Sequence, residues 1–309
     1  NDQSSYAIKA PKYAGGFIGY MDVGSAASVG NGLSILGESI QLADAVSVLS
    51  AVVTTIEFSH VKGKTGGFSV LASSTENTEF AGHAGGYAGM IKGGHIQNSN
   101  VENFNYIIAQ ETAGGYVGDL EPGSLASVLD GADTSLLTKI LDVNGLLSVG
   151  QTFIPTIRNS TTSCIPCGGA IRANAPSSLS IEKGMAGGYV GRNSGGQIWG
   201  NNNSSWKTQS LYEGPQSPCS VIRLRSVYGY EYAGGFTGLM ECASVAQLGD
   251  VSILNGLIKL DNVLGLLNDM YPTEENTSIC GPLKNINQET WNTWVEKVGH
   301  DKSYGAWIK

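Results

Sequence analysis

Two carboxylates in the segment GDLEPGS, Asp119 and Glu121, are the residues of this chain whose types and spacing best fit chemistry. Glycoside hydrolysis uses a pair of carboxyl groups, one as general acid and the other as nucleophile or base. In two similar segments the corresponding positions hold other residues, namely Tyr20 with Asp22 and Leu239 with Glu241. Because the pair occurs once and solvated turn carboxylates are common, we favour a non-catalytic chain and keep a glycosidase-type site as the alternative.

The histidines do not form a recognisable metal or catalytic site. They are scattered at His60, His83, His95 and His300, without an H-E-x-x-H pair or neighbouring cysteine ligands. His95 corresponds to Gln197 in a similar segment, which indicates a repeat position rather than a base. The sequence also lacks a G-x-S-x-G elbow and a phosphate-binding loop. We therefore assign no catalytic residue and no cofactor, and structural calcium at exposed turns is the only metal hypothesis.

The composition argues against two classes of partner. Of 309 residues, 43 are glycine and 14% are charged, and the net charge is −8. Nucleic acid requires a basic surface, which such a chain does not provide. The longest apolar uncharged stretch, residues 45–56, is too short to span a bilayer, so we expect no transmembrane segment in this piece. With neither an initiator methionine nor a signal peptide, the sequence is interpreted as mature and as part of a longer exported protein.

One glycine-rich phrase recurs along the chain and indicates its architecture. AGGYVG begins at residues 113 and 186, with relatives AGGFIG at 14, AGGYAG at 84, AGGFTG at 233 and a degraded TGGFSV at 65. Short modules begin at 84 and 186, and long modules at 14, 113 and 233. This self-similarity predicts a continuous repeat array over residues 1–283. Residues 284–309 lack the repeat and are predicted to cap the array or to begin a neighbouring region.

Each long module carries an added apolar segment with a helical period. The three segments cover about residues 33–56, 124–154 and 243–271, and their apolar residues recur mostly at intervals of three and four. Two of them end at a proline, which cannot continue a helix. We therefore predict three inserted helical segments, each made of one or two short helices.

The rest of the sequence has the period of short strands separated by turns. Alternate residues of phrases such as GGYAG and HIQNSNV face opposite ways, and glycine and asparagine separate the phrases. The predicted fold is mainly β, a parallel β-solenoid or β-helix-like array interrupted by the three helical inserts. Stacked copies of the phrase would align their aromatic residues in core columns, with glycine where backbones approach. The predicted column residues are Phe17, Phe68, Tyr87, Tyr116, Tyr189 and Phe236.

The short modules resemble a known family of repeats. GGYAGMIKGGHIQNSNV and GGYVGRNSGGQIWGNN are similar to the GLUG repeat of bacterial cell-surface and secreted proteins, in which Gly-Gly-apolar-x-Gly precedes a second Gly-Gly-x-Ile and an Asn/Ser turn. The resemblance covers the short modules and the opening of each long one, with aromatic residues where the family usually has leucine. It implies a surface-exposed, adhesin-type β-solenoid and brings no catalytic residues.

The five cysteines are interpreted as candidates for structural disulfides, because the chain is expected to be exported. Cys242 precedes the third apolar segment and Cys280 follows it. An insert leaves and rejoins its scaffold at nearby points, so these two are predicted to pair. Such a bond would stabilise the fold by about 4 kcal/mol on the chain-entropy model. Cys164 is then left to pair with Cys167 or Cys219.

Four asparagines lie in glycosylation sequons: Asn159, Asn202, Asn203 and Asn276. Asn159 and Asn276 also occupy equivalent positions of two long modules. A turn at each of these positions would favour asparagine for its backbone conformation alone. Glycosylation and a purely structural role therefore both stay open for this pair.

These features predict a non-catalytic extracellular module, secreted or on the cell surface, that acts as an adhesin, a spacer or a fibre-forming unit. Its expected partners are host or matrix glycans and proteins, or copies of itself in a fibre. Stacked short coils are expected to form a stalk of several nanometres. The alternative is a β-helical polysaccharide hydrolase or lyase.

Overall fold

The computed structural model describes residues 7–23, 53–64, 66–73, 82–123, 153–174, 184–200, 219–243, 271–279, 281 and 306–307. The regular structure of these ranges is almost entirely β-strand, with Phe153 alone in a helical conformation. The strands are short and are separated by turns at glycine and asparagine, as the period of the sequence predicts. The protein is therefore mainly β.

The strands follow one another along the chain in five modules. The first strand is β1 (Ile8–Ala10). Module 1 contains β2 (Tyr13–Gly15), β3 (Ile18–Asp22), β4 (Thr55–Glu57), β5 (Val61–Lys62) and β6 (Phe68–Ala72). Module 2 contains β7 (His83–Gly85), β8 (Ala88–Lys92), β9 (His95–Gln97) and β10 (Val101–Ala109). Module 3 contains β11 (Thr112–Gly114), β12 (Val117–Glu121), β13 (Thr156–Arg158), β14 (Thr161–Cys164) and β15 (Gly169–Ala173). Module 4 contains β16 (Met185–Gly187), β17 (Val190–Ser194), β18 (Gln197–Trp199), β19 (Cys219–Ile222) and β20 (Leu224–Gly229). Module 5 contains β21 (Tyr232–Gly234), β22 (Thr237–Glu241), β23 (Thr273–Glu275) and β24 (Thr277–Ile279), and the last strand is β25 (Ala306–Trp307).

Three parallel sheets are built from equivalent strands of successive modules. The first sheet has the order β2-β7-β11-β16-β21, the second β3-β8-β12-β17-β22 and the third β4-β9-β13-β18-β23. The register follows the sequence repeat, since equivalent alanines of the first sheet lie side by side: Ala14, Ala84, Ala113, Ala186 and Ala233. Parallel neighbours cannot be joined by a hairpin, so each module must complete its other strands before the chain returns.

The fourth sheet contains ten strands, and the long strand β10 lies at its centre. The first half of β10 pairs with β5 and β14, and its second half pairs with β6 and β15. At the end of this sheet, β25 pairs antiparallel with β20. The backbone of residues 306–307 therefore covers the edge of β20, within the region predicted to cap the array or to begin a neighbour.

The predicted helical inserts lie almost entirely outside the described residues. Only their ends are described, and one boundary is wrong: Thr55 and Ile56 belong to β4, so the first insert ends before residue 55. The second insert leaves and rejoins the sheets at one place, because the backbone N–H of Gly123 donates to the carbonyl oxygen of Phe153 over 2.9 Å. The helical character of residues 124–152 and of the other inserts stays a prediction.

The phrase AGGYVG forms a corner between the first and second sheets. β11 ends at Gly114 and β12 begins at Val117. A Cβ on Gly115 would lie 2.1 Å from the carbonyl oxygen of Gly188 in the next module, and a Cβ on Gly114 would lie 1.8 Å from that of Val117. Glycine is needed here because the backbone comes too close for any side chain. The prediction that this phrase is one alternating strand is wrong, because the glycine pair turns the chain in its middle.

The aromatic residue of the corner enters the core and stacks on its counterpart in the next module. The column contains Phe17, Tyr87, Tyr116, Tyr189 and Phe236, with successive ring centroids 5.1, 4.9, 4.9 and 4.8 Å apart. This spacing equals that of neighbouring strands, about 4.8 Å. Tyr87, Tyr116 and Tyr189 are fully buried, whereas Phe17 at the end of the column is 50% exposed.

Phe68 does not belong to this column, so that part of the prediction is wrong. It begins β6 in the fourth sheet, where it lies opposite Phe104 of β10. Its phrase, TGGFSV, is not a corner: a Cβ on Gly66 would meet no atom within 4 Å. Phe68 still packs against the core, but beside Phe104 and not on the aromatic column.

Candidate binding groove and a buried charge network

The third sheet presents polar side chains to the outside and isoleucines to the core. Each of its strands has three residues, and since successive side chains point to opposite faces, the middle one points inward. Ile96, Ile157 and Ile198 are buried accordingly. The outer face carries two rows. The first-position row is Thr55, His95, Thr156, Gln197 and Thr273, and the third-position row is Glu57, Gln97, Arg158, Trp199 and Glu275.

The local sequence explains why each three-residue strand of this sheet exposes its first and third side chains. In GGHIQN the strand β9 is preceded by Gly94 with φ of +90° and followed by Asn98 with φ of +50°. Both are left-handed conformations that glycine and asparagine adopt at the lowest cost. Asn159, after β13, has φ of +48°. The motif therefore forms a strand of polar, apolar and polar residues with a turn on each side.

The members of the two rows on β4, β9, β13 and β18 line a groove of about 590 Å³. Its walls come from β4, β9, β13 and β18, and Ile154 closes one side. This volume lies within the range of about 300–1,000 Å³ that small-molecule sites occupy. Within the described residues the groove thus combines an aromatic ring, amides, hydroxyls and both signs of charge on one accessible face.

Contacts between modules hold the groove side chains in position. The guanidinium carbon of Arg158 lies 4.4 Å from the ring centroid of Trp199, a cation–π contact. Nδ1 of His95 and Oγ1 of Thr156 are 2.7 Å apart, within hydrogen-bond distance. Each contact joins neighbouring strands, so the groove is preorganised by the same stacking that forms the sheet.

The groove is close to electrically neutral. Its lining contains one carboxylate, Glu57, and one guanidinium, Arg158. Burial lowers the pKa of His95, and the positive charge of Arg158 lowers it further. His95 is therefore uncharged at neutral pH. The amide of Gln97 donates a hydrogen bond to Glu57, which disperses the remaining negative charge.

Asp119 and Glu121, the predicted catalytic alternative, lie on the second sheet and are joined by an arginine of the next module. Arg192 donates from Nε to Oδ1 of Asp119 over 3.0 Å and from Nη2 to Oδ2 over 2.8 Å. The same Nη2 group contacts Glu121, and Nζ of Lys92 lies 3.4 Å from the other oxygen of Glu121. Asp119 has no exposed surface. The two carboxylates therefore belong to a buried ion-pair network.

Burial raises the pKa of Asp119 and of Glu121, and it outweighs the lowering effect of Arg192. His83 extends the network, with its Nδ1 atom 3.4 Å from Oδ2 of Asp119 and its Nε2 atom 3.6 Å from Oε2 of Glu111. His83, Asp119 and Arg192 come from modules 2, 3 and 4. The contacts of this network therefore link three successive modules.

The cysteines are not bonded to one another in the described residues. Cys164, Cys167 and Cys219 are free thiols, so no disulfide joins Cys164 to either of the other two in this structure. Burial raises the pKa of Cys164 and raises that of Cys219 to about 11. Cys242 is an exposed free thiol, and its predicted partner Cys280 lies outside the described residues. The bond between these two stays a prediction.

The sequon asparagines that are described occupy corners after the third sheet. Asn159 and Asn276 have φ of +48° and +52°, the conformation expected of turn asparagines. The side-chain amide of Asn276 donates to the carbonyl oxygen of Gly200 over 3.2 Å. Asn202 and Asn203 lie outside the described residues. Glycosylation at all four positions stays a prediction.

The described residues contain neither a cluster that could hold a metal ion nor a helix that could span a membrane. No cluster of three or more His, Cys, Asp or Glu side chains in these ranges could hold a metal ion, so structural calcium stays a hypothesis without a described site. In the same part of the chain there is no helix long and apolar enough to cross a membrane.

The groove is the feature that sequence reasoning missed. His95 and Gln197 were recognised as equivalent repeat positions, but the outward face that they share with Arg158 and Trp199 was not. The signal was the polar-Ile-polar triplet after each second Gly-Gly pair, in GGHIQ and GGQIW.

No protein-family model matches the chain, and no curated protein or solved structure is significantly similar to it.

Proposed function

We propose that this chain is a non-catalytic extracellular module, built as a GLUG-like β-solenoid, that serves adhesion. One observation carries the proposal: equivalent residues of successive modules lie side by side in three sheets. Equivalent side chains are thereby presented in straight rows on an outer face. Repeated, regularly spaced groups suit recognition of an extended partner better than they suit a single catalytic centre.

The size of the stack favours adhesion over spacing. Five strands per sheet at about 4.8 Å extend only about 2 nm. The sequence predicted a stalk of several nanometres, and the described modules are shorter than that. Each module distributes its residues over strands of four sheets, so it lengthens the stack by only one strand spacing. A spacer of this length would add little reach. The outer groove, by contrast, supplies a defined contact face.

Sequence features support an extracellular location. They are the resemblance to surface-protein repeats, the sparse charge and the four sequons. Host or matrix glycans and proteins are the proposed partners, and self-association into a fibre is a second mode for the same stacked fold. An open edge of a sheet in one copy would pair with that of another.

The competing proposal is a carbohydrate-active enzyme that uses Asp119 and Glu121. It has less support, because both carboxylates already contact Arg192 and Asp119 is fully buried. A glycosidase needs one carboxyl group that can protonate the leaving oxygen and a second that faces the sugar. The network offers neither group to an approaching substrate.

A combined binding and turnover assay tests the proposal. The purified chain is immobilised and exposed to glycan and matrix-protein arrays, and the same ligands are incubated with it in solution and analysed for cleavage products. Retention without products is expected. Products that disappear in Asp119→Asn or Glu121→Gln variants would contradict the adhesive role and favour the enzyme. Sedimentation over a range of concentrations tests fibre formation separately.

A further inference from the structure

We propose that the groove of the third sheet is a binding site for an extended neutral glycan. The inference rests on the proposed adhesive function and names the class of ligand that this function would recognise. Its centre is the pair Arg158 and Trp199, flanked by Gln97 and Gln197.

The chemistry of the lining matches a ligand rich in hydroxyl groups. A sugar ring has C–H groups that pack against an aromatic surface, and Trp199 supplies such a surface together with an indole N–H donor. Around it lie side-chain amides, a carboxylate and a guanidinium, which between them donate and accept hydrogen bonds. A purely apolar ligand would leave these polar groups without partners and so bind poorly.

The backbone of the groove argues against a peptide as ligand. Strands β9, β13 and β18 each have a parallel neighbour on both sides. They therefore offer no free edge to which an extended peptide could add, and among the strands of the groove only β4, at the end of the sheet, has one. At the centre of the groove, recognition must come from the outward side chains.

The charge of the groove argues for a neutral ligand. Glu57 and Arg158 cancel, and the lowered pKa of His95 keeps that ring uncharged. The third-position row continues past Trp199 to Glu275, another carboxylate. A polyanion such as a uronate or sulfate polymer would meet no excess of positive charge and would approach negative groups.

The spacing of the rows argues for an extended ligand. Side chains repeat at the strand spacing of about 4.8 Å, so the four strands that line the groove span about 14 Å. A chain lying across the strands would meet a polar group at each step. We expect several sugar units to be contacted at once, with Trp199 as the residue that contributes most of the affinity.

The experiment is a glycan array followed by titration calorimetry. The array contains neutral polysaccharide fragments (glucans, mannans, xylans and galactans) and acidic ones (polygalacturonate and heparin). The wild-type chain is expected to bind at least one neutral fragment and to discriminate against acidic ones. Trp199→Ala should raise the Kd of the best neutral ligand about tenfold, and Gln197→Ala should raise it less.

A matched control exists on the fourth sheet. Arg172 lies 4.8 Å from the ring centroid of Tyr228, a cation–π pair like that of Arg158 and Trp199 but outside the groove. Tyr228→Ala should leave the Kd within about twofold. Circular dichroism and thermal midpoints verify that each variant is folded, and Gln197→Ala serves as the test if Trp199→Ala is not.

The outcomes separate this inference from the proposed function. Binding to matrix proteins but to no neutral glycan would overturn the glycan site and leave the adhesive module intact. Preference for acidic fragments, or unchanged affinity in folded Trp199→Ala and Gln197→Ala variants, would also overturn the site. Cleavage of a bound neutral glycan would instead overturn the proposed non-catalytic function while leaving the groove as the binding site.

Discussion

The rings of Tyr116 and Tyr189 stack with their centroids 4.9 Å apart and their planes 6° from parallel. Each hydroxyl also donates a hydrogen bond across the core to a backbone carbonyl of the preceding module: Tyr116 to Ser99 and Tyr189 to Ser160, both over 2.8 Å. The tyrosines therefore set the spacing of the modules. Their hydrogen bonds also link the glycine corner, between the first and second sheets, to the turn that follows the third sheet.

Replacing these tyrosines by phenylalanine tests the hydrogen bonds separately from the stacking. Tyr116→Phe and Tyr189→Phe should each lower the free energy of unfolding by about 1 kcal/mol, because each leaves a buried carbonyl without its side-chain partner. Tyr87 is the matched control, since its buried hydroxyl makes no hydrogen bond of normal geometry among the described residues, although Ser59 and Ser99 lie near it. Urea denaturation should show Tyr87→Phe to be neutral or stabilising. Equal losses in all three variants would contradict the assigned bonds.

Glycine at the corners should be irreplaceable. A Cβ on Gly188 would lie 1.8 Å from the carbonyl oxygen of Gly235, which is backbone and cannot move aside. We expect Gly188→Ala to cost more than about 3 kcal/mol or to prevent folding. Gly66→Ala is the control, because a Cβ there meets nothing within 4 Å. Thermal unfolding of the two variants measures the difference, and a tolerated Gly188→Ala would refute the close approach of modules 4 and 5.

The buried charge network should depend on Arg192. Arg192→Met leaves Asp119 and Glu121 buried without their shared cation, which should lower the free energy of unfolding by about 3–5 kcal/mol at neutral pH. The loss should shrink toward pH 4, because protonated carboxyl groups need no counter-charge. Lys62→Met, which breaks the exposed pair with Glu102, should change the free energy of unfolding far less, because solvent screens that pair. Similar losses in both variants would contradict the importance of burial.

Glu274 should make the fold less stable as the pH rises. It occupies the inward row of the third sheet after Ile198, and burial raises the pKa of its carboxyl group despite hydrogen bonds from Thr237 and Asn193. A carboxyl group whose pKa is higher in the folded than in the unfolded state stabilises the fold below its unfolded pKa of about 4.3. That stability is lost as the pH rises through the folded value.

The Glu274→Gln variant removes this titration and keeps an oxygen to accept both hydrogen bonds. Its free energy of unfolding should exceed that of the wild type at pH 8, and the advantage should diminish toward pH 4. Urea titrations at several pH values measure the difference. Glu275→Gln, on the exposed outer row, is the control and should show little change. A wild-type advantage at pH 8 would contradict the desolvation argument.

Thiol labelling should distinguish the cysteines by burial. Cys164 and Cys219 are buried and have raised pKa values, so few of their thiols are ionised and reagent cannot reach them. They should resist iodoacetamide until the chain is unfolded. Cys242 is an exposed free thiol in this structure, so it should resist labelling until reduction only if the predicted bond to Cys280 forms on export. Peptide mapping without reductant checks this, and a labelled Cys242 would refute the bond.

The repeating architecture was largely predictable from the sequence. The strand period, the glycine pairs and the recurring aromatic residue are local properties, and they correctly predicted a mainly β chain with parallel neighbours. A small-Gly-Gly-aromatic phrase repeats because every module meets the same steric demand at its corner. Phe68 was misplaced because TGGFSV has similar letters, whereas its phenylalanine begins a strand of the fourth sheet that pairs with β10.

The groove and the charge network were decided only by the tertiary structure. Arg158 and Trp199 meet because their strands are neighbours in the third sheet, and Asp119 meets Arg192 for the same reason in the second. In each pair one residue lies a whole module beyond the other in sequence, so no local pattern records the contact. Composition and period determine that modules stack, whereas the register of stacking determines which outward side chains become neighbours. That register depends on the backbone contacts of all the modules together.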